Sequence, residues 1–284
     1  MGESGQRGET AAASLKGAAA ETEPPGRTGE GPSVASLIPR LFSDNLDARL
    51  QAMDAIERAG ESAAVLLVET LLKTPPQSGR YPVLAEALER IGKPVVPLLL
   101  AGLGTVEIPR RADEVYLLEA VAEVLGHLAD RRAVPALARM LSLLRASSRK
   151  PADAFVASLS EAAKIRVHRA LADLGSRDGA DDLLEMVGDG RKRVREEVIE
   201  LVARVGDRRF LPALLRAHEK ALPVSEWHAR HTRWAFREIA RRDRVERGDG
   251  VFAKLDAGEA ALVEKLLPKA KGNGGHKPRS LRSA

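Results

Sequence analysis

Residues 227–231 read Trp-His-Ala-Arg-His, the one place in the chain where several side chains capable of chemistry crowd together. In a helix His228 and His231 stand one turn apart, the reach at which two imidazoles share a metal ion. No third ligand accompanies them, and the flanking arginines would repel a cation. The expectation is therefore surface or packing histidines and no metal site. Trp227 and Trp234 are the only tryptophans. Seven residues apart, they share a helical face, with His231 between them and Arg230 and Arg237 alongside. Indole and guanidinium groups carry much of the energy of macromolecular interfaces, so this stripe reads as a partner-binding surface. The competing expectation is that the indoles dock a terminal helix that closes the end of the fold.

Just upstream, GDGRKRVR sets Gly188 and Gly190 before Arg191 and Arg193. It resembles a phosphate loop only in having two glycines followed by basic residues, and its place in the chain makes both glycines turn residues. Arg191 and Arg193 join Trp227, Arg230, His231, Trp234 and Arg237 as candidate partner-binding residues. Catalytic signatures are missing: there is no G-x-x-x-x-G-K-S/T, no G-x-G-x-x-G after a strand, no H-E-x-x-H and no G-x-S-x-G. The absence of cysteine excludes disulfides, thiolate metal sites and a Cys nucleophile. Carboxylates are scattered rather than paired. No catalytic residue, cofactor or metal is assigned, and the chain is not expected to be an enzyme.

Charge is uneven. Residues 191–250 hold 16 Lys/Arg against 10 Asp/Glu, and residues 251–284 hold 7 against 3, in a chain of net charge +5. Such a basic end can track phosphates or an acidic protein surface. The blander reading is an arginine-rich composition that decorates solvated helix faces. No apolar run approaches the ~18–20 residues of a membrane span. MGESGQRGET lacks the basic region and apolar run of a secretion signal, and Gln6 breaks the myristoylation pattern. The expected location is cytoplasmic.

The elements that must carry these residues are helices. Aromatics make up only 3% of 284 residues, which suits packed helices of Ala, Leu and Val rather than sandwiches or barrels. Residues 1–34 and 268–284 lack the large apolar side chains needed to offset ordering entropy and read as disordered tails, the second of them basic. Between them a glycine closes one amphipathic run after another: Gly60, Gly92, Gly126, Gly175 and Gly206, with Ala240 in the sixth place. Four residues before this anchor stand Ile56, Leu88, Ala122, Leu171, Val202 and Phe236. Eight before it stand Ala52, Leu84, Leu118, Val167, Val198 and Thr232. Together with the positions one and five before the anchor these form one helical face. A left-handed glycine is the expected stop. A second helix follows, often with Pro in its first turn. The fold predicted for 35–267 is all-α, about six stacked helical hairpins, with an insert near 145–160 and a terminal cap near 251–267. Asp256 and Glu259 there form a capping-box pattern.

Runs such as VREEVIELVARVGDRRFLPALLRA and LLEAVAEVLGHLADRRAVPALARML resemble HEAT repeats of the phycobilisome-lyase type, which have an early Arg (matched by Arg49 and Arg195), a Leu/Ile-Gly stop, an acidic residue and Ala-Val-Pro-Ala-Leu. The resemblance covers roughly residues 36–242 and implies an α-solenoid, an architecture that serves many scaffolds. Three functions follow as expectations. The first is a non-enzymatic adaptor that grips a protein partner. The second is nucleic-acid binding through the basic C-terminal repeats, after the HEAT-like solenoids that act as alkylbase glycosylases. The third, from the resemblance alone, is a helper subunit of a bilin lyase. A small-molecule ligand is not expected.

Overall fold

The computed structural model describes residues 33–74, 79–149, 153–189 and 193–267. The two tails assigned to 1–34 and 268–284 lie outside them, apart from Ser33 and Val34. The protein is all-α: the described residues form thirteen α-helices and three short 3-10 turns, with no strand among them. No described helix is long and apolar enough to cross a membrane. The chain divides into two compact units, one through Gly179 and one from Ala180.

The first unit holds α1 (Val34–Leu41), α2 (Leu46–Ala59), α3 (Glu61–Lys73), α4 (Tyr81–Ile91), α5 (Val95–Gly104), α6 (Ala112–His127), α7 (Val134–Arg149) and α8 (Ala154–Asp173). Helices pack on the second helix along: α2 on α4, α4 on α6 and α6 on α8, and likewise α1 on α3, α3 on α5 and α5 on α7. The repeat columns are what they bury. Ile56, Leu88, Ala122 and Leu171, with Ala52, Leu84, Leu118 and Val167, are all buried. Helix α1 begins at Val34, the last residue allotted to the tail, and buries Leu37 and Leu41 against α2 and α3. It is an extra element ahead of the first hairpin.

The anchor glycines do not all act alike. Gly60, Gly92 and Gly175 take positive φ and end their helices as expected. Gly126 does not: it lies inside the last turn of α6, and the left-handed residue is Ala129. A Cβ on Gly126 would come within 3.0 Å of Ala170 Cα and Cβ, so this glycine permits the close approach of α6 and α8. Gly206 is extended rather than left-handed, and a Cβ there would meet Val202 O at 2.5 Å. Ala240 is likewise mid-helix, with Arg244 as the left-handed stop. The column marks a place of tight packing as often as a place of reversal.

The insert extends regular helices. Helix α8 runs for 20 residues from its N-cap Asp153, whose side chain accepts from Val156 N at 2.7 Å. Buried Ser160 donates to Ser147 Oγ at 3.1 Å, and Ser147 donates to the Pro109 carbonyl at 2.8 Å, which ties α7 to α8.

The second unit holds α9 (Ala180–Gly188), α10 (Glu196–Val205), α11 (Leu211–Ala221), α12 (Glu226–Arg242) and α13 (Ala257–Leu266). The same alternation holds: α10 packs on α12, α9 on α11, and α11 on α13. Phe210 and the column residue Phe236 are its largest fully buried side chains, and Leu214, Leu215, Val198 and Val202 are buried with them. The Asp-Arg-Arg turn before α11 copies the one before α7. Asp207 accepts from Arg209 N and Asp130 from Arg132 N, each at 2.9 Å, which opens a 3-10 turn into the helix. Arg132 holds the Asp130 carboxyl down at about 2. The terminal helix α13 starts with the expected capping box: Glu259 N donates to Asp256 at 2.8 Å, and Asp256 N to Glu259 at 3.1 Å.

Candidate functional site

Helix α12 places the stripe. Ser225 caps it, accepting from His228 N at 3.3 Å, and Glu226 adds a favourable charge to its first turn. Ala229, Thr232, Ala235, Phe236, Ile239 and Ala240 form the buried face. On the other side Trp227, Arg230, Trp234, Arg237 and Arg241 follow one another at alternating intervals of three and four, and all are exposed. The indoles of Trp227 and Trp234 are 39% and 47% exposed. Neither is buried beneath the terminal helix, which packs on α11 and is tied to α12 through Arg237. The column that Trp234 occupies holds Asp54 and Glu86 in the first two hairpins, where Arg90 of α4 reaches them at 3.2 Å and 3.4 Å, and Ala120 and Arg169 in the next two. Where the first two hairpins carry ion pairs, α12 presents an indole.

The two tryptophans differ in surroundings. The His231 ring stacks on Trp227 with centroids 3.6 Å apart, while its Nδ1–H donates to the Trp227 carbonyl at 2.9 Å. His228 meets the Trp227 ring edge-on at 5.0 Å, and its Nδ1 accepts from the Arg193 guanidinium. Burial and that neighbouring cation pull the His228 pKa below its usual value. The Nδ1 atoms of both histidines are thus engaged, His228 by Arg193 and His231 by a backbone carbonyl. Among the described residues no three His, Cys, Asp or Glu cluster as a metal site would need. Trp234 borders a shallow groove of about 280 Å³ lined by Arg230, Arg233, Arg237, Glu238 and Arg241.

The arginines divide by what they hold. Arg230 pairs with Glu226 at 3.1 Å and Arg241 with Glu238 at 2.6 Å. Arg237 is committed to structure: its Nε–H donates to the Leu266 carbonyl at 3.1 Å, so it ties down the end of α13. Arg193 stands at His228, apart from the Trp234 groove. Arg191 lies outside the described residues. Arg233 and Arg241, which were not singled out from the sequence, both line the groove. Their positions one before Trp234 and seven after it are a signal that helical spacing contains.

A second concavity, of about 240 Å³, lies between α9, α11 and the start of α12, with His228 in its wall. Nothing in the residue pattern announced it. Compared with protein-family models, with curated proteins and with solved structures, the chain matches none.

Proposed function

We propose that the chain is a HEAT-like α-solenoid acting as a non-enzymatic adaptor, and that the solvent face of α12 holds an acidic segment of a protein partner. The observation that carries this reading is the exposure of Trp227 and Trp234 on a helix with five arginines and two glutamates. Leu222 and Val224, 53% and 72% exposed, stand in the turn before α12, and Val224 borders the second concavity. Exposed large apolar groups clustered within a charged rim are the usual composition of an interface core. The packing of each helix on the second one along, within each unit, supports the repeat architecture.

The groove of arginines around Trp234 favours nucleic acid as a second reading. Protein is preferred because Trp227 is already covered on one face by His231, and because Arg230, Arg237 and Arg241 each hold an internal acceptor. That leaves less stacking surface and less cation than a phosphate track uses. The test compares wild type with a Trp234→Ala, Arg233→Glu variant, which spares the Arg237 contact to α13. A protein partner cross-linked to wild type and lost by the variant supports the adaptor reading. Salt-sensitive binding of a single-stranded oligonucleotide, abolished by the same variant, would replace it with the second. A protein partner held equally by both forms would overturn the assignment to α12.

A further inference from the structure

The concavity between α9, α11 and α12 exists because of two small side chains. Aligned on the shared Asp-Arg-Arg turn and the proline that follows, α11 carries Ala217 where α7 carries Met140, and Ala221 where α7 carries Leu144. Met140 and Leu144 are buried in the first unit. Their counterparts leave a space of about 240 Å³. The space is partly open to solvent, so an apolar group entering it would remove apolar surface from water on both sides.

The walls and the mouth say what such an occupant is. Val187, Val194, Ala213, Ala217 and Ala221 supply aliphatic surface, no Phe, Tyr or Trp lines the space, and His228 and Thr232 complete the wall on α12. Arg193, Arg216 and Lys220 contribute three cationic side chains, against the carboxylate of Asp189 in the wall and that of Glu259, which pairs with Arg216. The first turn of α12, a helix of 17 residues, also borders it through Ser225, with the positive end of the helix dipole. Arg216 is held in place from outside the cavity by buried Glu259, 2.7 Å away. The volume is below the ~300–1,000 Å³ of sites for drug-sized molecules. We propose that this cavity binds a small aliphatic carboxylate, its chain against the α11 alanines and its charged end among Arg193, Arg216 and Lys220. The cavity lining includes neither tryptophan and none of the α12 arginines, and the site does not depend on the partner proposed for the exposed face of α12.

Isothermal titration of the full chain with octanoate, octanol and octylamine tests this. Octanoate should bind saturably, at least tenfold tighter than octanol, and octylamine should not compete with it. Refilling the cavity with Ala217→Met and Ala221→Leu should abolish octanoate binding. Lys220→Met, which keeps the aliphatic stem, should weaken octanoate at least fivefold and leave octanol unchanged. Trp234→Ala should bind octanoate as wild type does. Equal binding of octanoate and octylamine, undiminished binding by the refilled variant, or no saturable octanoate binding into the millimolar range would each overturn the proposal.

Discussion

Replacing Arg242 by alanine separates the arginines that build this fold from those that face a partner. The Arg242 guanidinium donates to the Ala203 and Arg204 carbonyls, each at 2.9 Å, and to the Gly206 carbonyl. These lie at the end of α10, where carbonyls lack partners within the helix and the dipole is negative. The side chain is only 29% exposed, so water would replace these bonds poorly. A hydrogen bond from a charged donor is worth roughly 1.5–3 kcal/mol. Three acceptors share one guanidinium, and its Nε has no hydrogen-bond partner among the described residues, so the loss should fall at about 2–4 kcal/mol rather than at their sum. Arg242→Lys should recover about half of it, because a point ammonium cannot span three carbonyls. Urea unfolding followed by tryptophan emission is the assay, since both tryptophans sit on α12 and report the second unit. With a slope of about 2 kcal/mol per molar, the midpoint should fall by about 1–2 M. Arg233→Ala, which removes an exposed cation with no hydrogen bond or ion pair among the described residues, should stay within about 0.5 kcal/mol. If Arg242→Ala behaves like Arg233→Ala, the capping argument is wrong.

Two further outcomes follow from packing and titration. Gly126→Val forces α6 away from Ala170, and the overpacking should cost about 1–3 kcal/mol despite the loss of a helical glycine, read as a lowered midpoint of thermal melting by circular dichroism. An unchanged or raised midpoint would show that the contact is not limiting. His218, buried with Nδ1 2.8 Å from the Ala229 carbonyl, has its pKa lowered chiefly by burial, as does His228. Their folded forms stay neutral while unfolded histidines take up protons below about 6.5, so stability should be level above that pH and fall as pH drops toward the lowered folded values. His127 has the opposite sign, because its hydrogen bond to Glu89 raises its pKa and adds stability that disappears as pH rises through the folded value. His218→Gln should flatten the acid slope of the second unit, and an unaltered slope would assign it elsewhere.

The helical face at four and eight residues before each anchor could be read directly, because burial of one face imposes a 3.6-residue period whatever the neighbours are. The cap at Asp256 was equally legible, since a capping box is written in residues three apart. The glycine column was legible in position but not in meaning. Whether Gly126 reverses the chain or admits Ala170 depends on a residue more than forty positions away. The stripe on α12 was visible from spacing alone. That Arg237 serves α13 while Trp234 stays exposed was not, because each depends on a segment remote in the chain.

Local periodicity and capping chemistry thus determined that this chain is helical and which side of each helix faces inward. They act over one or two turns, and the residues concerned stand together in the sequence. Only tertiary packing decided which arginines are spent on helix ends, which indoles meet solvent, and that Ala217 and Ala221 leave a cavity beside α12. Exposure and empty volume are properties of several elements at once, and no single segment encodes them.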